Sequence, residues 1–317
     1  MVEARRIYIH AAAALGPHGT ASAADRKKLT SDPNTDLRPL AKQVLGQGLR
    51  QASHFVELAA IGARLCLNRL GRPPEPDTAV YLGTALGEIR KTESLFEQVL
   101  PPGPGTAAPF DFINATSNMA SFYVARVAGT SARNLTVTQG VFSFEWALKL
   151  AMDDLRAGLV KTALVGGVDE NHFPRSQYER RWPLSDDEIM GEGSAWLYLS
   201  PEAAGAVAEL LWMQNLPPTD QLSDWARLVT EIHAGAERML VLVCGNRVMA
   251  PERNVLSQRL PQAAWRTYIE YCGNYPTAAS FGIASSMEGS PAPGQWVHVN
   301  RDAEGRTMLV GWCVART

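Results

Sequence analysis

The sequence predicts an α/β protein built around a central sheet. Near-continuously apolar runs, such as ALVGGVD at 163–169, are typical of parallel strands that are covered on both faces. These runs alternate along the chain with segments whose apolar residues recur at helical spacing. The alternation restarts after Pro201, so two α/β blocks of related layout follow each other within 317 residues.

The first block contains the clearest single elements. A helix predicted at 142–157 places Phe144, Leu148 and Leu155 on one apolar stripe, and Gly158 ends it. The Gly-, Pro- and Ser-rich segment at 16–38 predicts a long surface loop. The other elements expected here are a strand at 6–13, a helix at 37–71 broken near Gly46 and Gly48, a strand from residue 78, a helix at 117–127, an extended run at 135–138, and strands at 163–169 and 194–200.

The second block has a similar succession of patterns after Pro201. Apolar runs rich in Val and Leu predict strands, and longer segments with periodic apolar residues predict helices. The expected order is a strand at 207–214, a helix at 220–236, a strand at 238–245, helices at 261–271 and 277–287, and strands at 295–300 and 307–314.

Composition and charge exclude several classes of partner. Thirty Lys and Arg residues against 32 Asp and Glu leave a net charge of -2, so no overall basic field would hold nucleic acid or an anionic membrane. No apolar run is long enough to cross a bilayer. At the start of the chain, Glu3 and His10 interrupt a stretch that would otherwise resemble a signal peptide. We therefore expect a cytoplasmic protein.

The cysteines and histidines do not predict a metal site. Cys66, Cys244, Cys272 and Cys313 lie far apart in apolar surroundings and lack CxxC spacing, which favours buried free thiols in a reducing compartment. The six histidines show no metal-ligand spacing. The sequence accordingly predicts neither a metal nor a cofactor.

Four segments carry a family resemblance. They are VYLGTALGE, FINATSNMASFYVARVAG, LRAGLVKTALVGGVDE and PLSDDEIMGEGSAWLYLS, which occur in this order over 78–200. Together they resemble the GTamG turn, the SxNmaa helix start, the helix-to-GGv strand and the GEGag segment of the β-ketoacyl synthases, condensing enzymes of the thiolase fold. The resemblance implies an α-β-α-β-α layered architecture of two related halves, an N-terminal half at 1–200 and a shortened, more loosely matching half at 201–317.

The resemblance also implies where a catalytic machinery would stand. Family members carry a nucleophilic Cys in a TACSS-like corner, a His in HGTGT, and a Lys shortly before a second His in GHT. Counting back from the Gly-Gly pair of 163–169 without a gap places Val141 at the nucleophile position. The first His corresponds to Cys244, the Lys to Ile269 and the second His to Asn274. A branched alkyl group cannot be acylated, so we expect no catalytic residue at these degenerate positions.

Three details leave alternatives open. Inactive relatives called chain-length factors often carry Gln at the nucleophile position, whereas Gln139 stands two residues early here. Ser143 or Cys244 could act as a displaced nucleophile, the serine with an imidazole from His172, His233 or His298. Asn274 resembles the Asn of the family's initiating branch and could still donate a hydrogen bond.

The resemblance also implies a change at the glycine-rich GFGG gate of the family, which corresponds to 303–306 here and is charged.

The resemblance implies binding residues as well. Aromatic and polar side chains around the SxN start meet the partner subunit and line the acyl tunnel in the family, and Phe142 follows the nucleophile position; this set is Phe110, Phe112, Asn118, Met119, Phe122 and Phe142. A basic cluster of Arg175, Arg180 and Arg181 suits the acidic surface of an acyl carrier protein. Core packing and simple solvation are the ordinary explanations of the same residues.

The function expected from the resemblance is non-catalytic. The chain would pair with an active β-ketoacyl synthase and shape its acyl tunnel in fatty-acid, polyketide or aryl-polyene biosynthesis. One alternative is an acyltransferase or thioesterase that uses Cys244 or Ser143 with Asn274. Another is a homodimeric protein that binds an acyl or aromatic ligand.

Overall fold

A computed structural model describes most of the chain. The described residues are 5–20, 27–33, 35–46, 49, 52–103, 105–172, 188–218, 229, 239–245, 248, 250–289 and 291–315. The helix expected at 220–236 lies almost wholly outside these residues, and so does the basic segment at 173–187 that contains Arg175, Arg180 and Arg181.

Within the described residues, eleven strands form one sheet. They are β1 (Ile7–Gly16), β2 (Gly19–Thr20), β3 (Ala79–Gly83), β4 (Asn134–Val137), β5 (Ala163–Asp169), β6 (Gly193–Ser200), β7 (Ala208–Leu216), β8 (Leu240–Cys244), β9 (Ala264–Thr267), β10 (Gly294–Arg301) and β11 (Thr307–Val314). Their spatial order is β4-β3-β5-β6-β1-β7-β11-β10-β8-β9, and β2 pairs with β1 beside this path.

The strand order repeats on either side of the β1-β7 pair. Outward from β1 the order is β6, β5, β3, β4, and outward from β7 it is β11, β10, β8, β9. The directions repeat too, because β3 is parallel to β4 and β5 while β8 is parallel to β9 and β10. The two sets join where Ile7 of β1 lies opposite Leu210 of β7 in an antiparallel pair.

Helices fill the layers on both sides of this sheet. They are α1 (Arg38–Leu45), α2 (His54–Arg69), α3 (Ile89–Val99), α4 (Pro109–Asn114), α5 (Met119–Ala128), α6 (Ser143–Ala157), α7 (Ala250–Arg259), α8 (Ile269–Cys272) and α9 (Ala278–Ser285). Buried residues of α6 and α9 share one core with both sets of strands. Buried residues of α2 and α5 pack on the other face of the first set, and Leu256 of α7 packs with the second. These contacts give the layered α/β arrangement that the sequence predicts.

Most predicted elements are present, and the differences have physical reasons. The strand expected at 6–13 extends to Gly16, and the long helix expected at 37–71 is two helices, α1 and α2. The helix expected at 261–271 is wrong, because the segment forms β9 and then the single turn α8. Its side chains alternate between exposed Arg266 and partly buried Trp265, which is the period of a strand. Helices α3, α4 and α7 were not predicted.

Two further features are the state of the cysteines and the character of the helices. All four cysteines are buried thiols that form no disulfide. In the part of the chain that the structure describes, no helix combines the length and the apolar character needed to span a membrane.

Candidate functional site

The candidate site is the corner between β4 and α6. After β4 the chain turns at Gly140, whose φ is +56°, and enters a 3-10 turn at Gly140–Phe142 that leads into α6. The Ser143 hydroxyl locks this turn, because it accepts a hydrogen bond from the Gln139 amide at 2.8 Å and donates one to the Gly140 carbonyl at 2.7 Å. A Cβ on Gly83 of β3 would lie 2.5 Å from the Ser143 carbonyl oxygen, so only glycine permits this approach.

Val141, at the predicted nucleophile position, is packed into an apolar cluster. Its side chain is 6% exposed and lies with Phe142 and with Met308 of β11, which is 2% exposed. Trp146 of α6 and Met213 of β7 pack partly against the same cluster. The corner is therefore filled from the C-terminal set of strands by large apolar side chains.

A small cavity remains on the outer side of the corner. Its volume is about 180 Å³, and it is lined by 139–142 together with Asp302, Ala303, Glu304 and Arg306. The structure thus brings the segment predicted to correspond to the family's gate next to the predicted nucleophile position.

The gate segment between β10 and β11 is closed on itself by charged contacts. Arg306 donates from Nε to Asp302 Oδ2 at 2.5 Å and from a terminal nitrogen to Glu304 Oε2 at 2.8 Å. The backbone amide of Arg306 also donates to Asp302 Oδ1 at 2.8 Å. The turn between β10 and β11 is therefore cross-linked by polar contacts.

A buried carboxyl group lies directly beneath the corner. Glu145 is fully buried, and Asn300 at the end of β10 donates from Nδ2 both to Glu145 Oε1 at 2.7 Å and to the Val141 carbonyl at 3.1 Å. The other carboxyl oxygen of Glu145 is buried without a hydrogen bond. Burial raises the pKa of Glu145 to about 7, and its hydrogen bond with Asn300 opposes this shift. Neither residue is predicted from the sequence as part of the site, although a Glu among the apolar residues of a helix is a signal of a buried carboxyl group.

Cys244 is a buried thiol at the end of β8. Burial raises its pKa to about 12, so the thiol is neutral. Next to it in the sheet, His298 of β10 shares a 2.9 Å hydrogen bond with the Tyr268 hydroxyl, and burial lowers the pKa of His298 to about 3. A Cβ on the neighbouring Gly245 would lie 2.9 Å from the Tyr268 hydroxyl oxygen, which shows how closely this region is packed.

Asn274 and Ile269 occupy the remaining two predicted positions. The Asn274 side chain is 8% exposed and donates from Nδ2 to Glu188 Oε1 at 3.1 Å. Its backbone pairs with the segment before β6, since its amide donates to the Ile189 carbonyl at 2.8 Å. Ile269 begins α8 and packs against the shared core. The Asn274 amide is therefore engaged in holding two segments together.

The predicted tunnel residues divide into two groups. Phe142 belongs to the buried corner, whereas Phe110 and Phe112 of α4 and Phe122 of α5 are exposed by 63%, 62% and 49%. Asn118 is exposed and precedes α5, and Met119 packs partly against the core formed by α2. The predicted set is therefore split between one buried aromatic residue, Phe142, and three exposed ones.

The exposed group lies next to an open sheet edge. Within the described residues β4 pairs only with β3, so one side of β4 has no neighbouring strand. The Ser121 hydroxyl of α5 bonds the Thr136 hydroxyl of β4 at 3.0 Å, which ties the helix that carries Phe122 to this edge. The edge strand and the exposed aromatic residues thus belong to neighbouring elements.

The sequence and the structure were compared with those of known proteins. A family model described as "Beta-ketoacyl synthase, N-terminal domain" matches residues 9–181. A search of the curated proteins found no match. The structure is similar to that of the ishigamide ketosynthase/chain length factor, with a TM-score of 0.78 and 17% identity over 98% of this chain and 100% of that one.

Two other solved structures resemble the chain over the same lengths. One is a type II polyketide synthase acyl-carrier protein in complex with its ketosynthase bound to the hexaketide, at 13% identity and a TM-score of 0.73 over 98% of this chain and 100% of that one. The other is a β-ketoacyl synthase from Burkholderia phymatum, at 13% identity and a TM-score of 0.71, again over 98% and 100%. Likenesses at these identities concern the fold.

Proposed function

Because the chain belongs to the β-ketoacyl synthase family and has the thiolase-like fold, we propose that it is a non-catalytic member that pairs with an active β-ketoacyl synthase and shapes its acyl tunnel. One observation carries this proposal. Val141, the aliphatic residue at the predicted nucleophile position, is 6% exposed within an apolar cluster.

The neighbouring chemistry supports the same proposal. A condensing enzyme needs a thiolate that takes an acyl group and imidazoles that polarise the thioester carbonyl. Here the residue aligned with the first imidazole is Cys244, a neutral thiol whose pKa burial raises to about 12. The residue aligned with the second is Asn274, whose amide donates to Glu188. Neither group is a base near neutral pH.

The contacts of Ser143 weigh against an acyltransferase. Its hydroxyl is fully buried and already donates to the Gly140 carbonyl while it accepts from the Gln139 amide. The imidazole of His298 bonds Tyr268, and burial lowers the pKa of that imidazole to about 3. A nucleophile needs a free hydroxyl beside an available base, and these contacts provide neither.

The open edge of β4 supports pairing. An unpaired strand edge is a template for another strand, and exposed aromatic side chains beside it add apolar area to such a contact. Phe110, Phe112 and Ile113 of α4 and Phe122 of α5 supply that area. Obligate interfaces are large and apolar, so we propose that this surface meets the active synthase in preference to a second copy of the chain.

Two finer assignments belong to the same proposal. We propose that the chain divides into halves at 1–200 and 201–317, and the repeated strand order on either side of the β1-β7 pair supports this division. We also propose that Arg175, Arg180 and Arg181 attract the acidic surface of an acyl carrier protein, on the basis of their charge alone.

Co-expression tests the pairing. The chain is produced with the β-ketoacyl synthase encoded nearest to it, and both are followed by size-exclusion chromatography and by the chain length of the acyl product. We expect co-elution, and we expect product length to change when the chain is left out. Separate elution together with unchanged synthase products would overturn the proposal.

A further inference from the structure

The hairpin of α3 and α4 is unlike every other pair of helices described above. No residue of α3 or α4 is buried. Nevertheless the segment exposes six large apolar side chains: Phe96 (57%), Val99 (44%), Leu100 (55%), Phe110 (63%), Phe112 (62%) and Ile113 (53%). Soluble domains rarely leave so many large apolar groups together in water unless another molecule covers them.

The two helices touch each other through polar contacts on one face of α3. Lys91 donates to Asp111 at 3.0 Å, and Gln98 donates from Nε2 to the same carboxylate at 2.8 Å. Lys91 and Gln98 are seven residues apart, so they lie on one side of the helix. The opposite side of α3 is therefore turned away from α4.

That opposite side lines a groove of about 650 Å³. Ile89, Phe96 and Leu100 recur on it at helical spacing, and Pro101 and Pro102 close one end. A groove of this volume, with apolar side chains at three levels along it, can receive the apolar face of an amphipathic helix.

The charge of the groove selects among occupants. Glu93 and Glu97 line it one turn apart, and no lysine or arginine is among its lining residues. Like charges four residues apart on a helix repel each other, and a cationic occupant would relieve that repulsion. His172 is in contact with Glu93, which leaves Glu97 as the acidic group without a described ion pair. An anionic ligand, including the acidic surface of a carrier protein, would be repelled.

We propose that the groove on α3 is a docking site for a basic amphipathic helix of a partner protein. The apolar residues of that helix pack on Phe96 and Leu100, and one of its Lys or Arg side chains pairs with Glu97. None of the residues that line this groove belongs to the surface proposed above for pairing with the synthase, and the groove has the opposite charge preference to a carrier-docking patch, so the inference goes beyond the function proposed above.

Peptide binding to the full chain tests the site. The probe is a fluorescein-labelled, 14-residue helical peptide of Leu and Lys with leucines at i, i+3, i+4 and i+7, and the controls are a scrambled peptide of the same composition and a Leu/Glu peptide of the same pattern. Fluorescence anisotropy should show binding of the patterned Leu/Lys peptide and weaker binding of both controls.

Variants of the chain then locate the contact. Phe96→Ala should weaken binding about tenfold, as for an apolar hot spot, while Leu159→Ala, at an exposed leucine outside the groove, should leave it unchanged. Glu97→Lys should reverse the preference toward the Leu/Glu peptide. Equal affinity for patterned and scrambled peptides, or binding that is indifferent to both Phe96→Ala and Glu97→Lys, would overturn the proposal.

Discussion

The corner at 139–145 and the α3-α4 hairpin differ in how far their apolar side chains are exposed to solvent. In the corner Val141 and Phe142 are 6% and 4% exposed and pack against Met308. In the hairpin no residue is buried, and even the large aromatic side chains of Phe96 and Phe110 are exposed, by 57% and 63%. The predicted nucleophile position is filled by apolar side chains, while large apolar side chains of the hairpin are exposed to solvent. This difference is expected if the exposed apolar groups serve association, as proposed above.

The largest effect should follow a charge placed inside the corner. Val141→Asp would bury a carboxylate among Phe142, Met308 and Trp146, while Arg306 of the adjoining cavity already pairs with acidic residues of its own turn. We expect a loss of about 3–5 kcal/mol in the free energy of unfolding, measured by urea denaturation. Val207→Asp, at a valine that is 39% exposed, should change the same quantity by less than about 0.5 kcal/mol. Equal effects at both positions would mean that the corner is not packed as described.

A charge at the open surface should act on association and spare folding. Phe122→Asp removes an aromatic side chain that is 49% exposed beside β4 and stacked under Arg126 at 5.9 Å. We expect the affinity for the active synthase to fall about 30-fold or more, as for an interface hot spot of about 2 kcal/mol. The free energy of unfolding of the isolated chain should stay within about 0.5 kcal/mol of its original value.

The matched control for that surface is Leu159→Asp, at a leucine that is 66% exposed and outside α4, α5 and β4. It should leave the affinity for the synthase unaltered. If both variants weaken the complex equally, general charge accounts for the loss and the β4 surface is not the site of pairing.

A third change concerns the buried carboxyl beneath the corner. Burial raises the pKa of Glu145 from 4.5 to about 7, so the folded state holds a proton that the unfolded state has already released between these values. The stabilisation is complete below pH 4.5 and is lost as the pH rises through about 7. Glu145→Gln keeps the hydrogen bond with Asn300 and should remove about 1–3 kcal/mol of the fall in stability between pH 5 and pH 8.

The comparison for this titration is Asp153→Asn, which alters an exposed ion pair with Lys149 on the same helix. Its profile of unfolding free energy against pH should follow that of the unaltered chain. Glu88, whose pKa burial also raises to about 7, continues to titrate in both variants, so part of the slope remains. A Glu145→Gln profile that coincides with the original would show that Glu145 is ionised throughout.

The sequence predicts the sheet better than the site, and the residues show why. The strand β5 is an unbroken apolar run, and α6 has a regular apolar stripe, so both are local patterns. Counting from a glycine pair in β5 is also local and places Val141 in the corner. The bond from Asn300 to Glu145 joins residues 155 positions apart, and no local pattern predicts it.

The wrong helix at 261–271 and the unpredicted hairpin teach a related lesson. Ala264 to Thr267 is too short to display its strand alternation against the helical spacing of its neighbours. The stripe Ile89, Phe96 and Leu100 has clear helical spacing, yet nothing in the sequence says that Phe96 and Leu100 remain exposed, because burial depends on which other elements reach them.

The smallest expected effect follows from placing a cysteine at the predicted nucleophile position. Val141→Cys changes a buried aliphatic side chain to one of similar size, so the free energy of unfolding should change by about 1 kcal/mol or less. The new thiol would lie in an apolar cluster that raises its pKa, and the aligned positions around it offer Cys244 and Asn274 where a condensing enzyme has imidazoles. Intact-mass measurement after incubation with acyl-CoA or acyl carrier protein should therefore show no stable adduct, while an active synthase treated in parallel becomes acylated. An adduct at the introduced thiol would mean that the corner can bind and activate a thioester. The side chain of Val141 would then be the one feature that prevents acylation there.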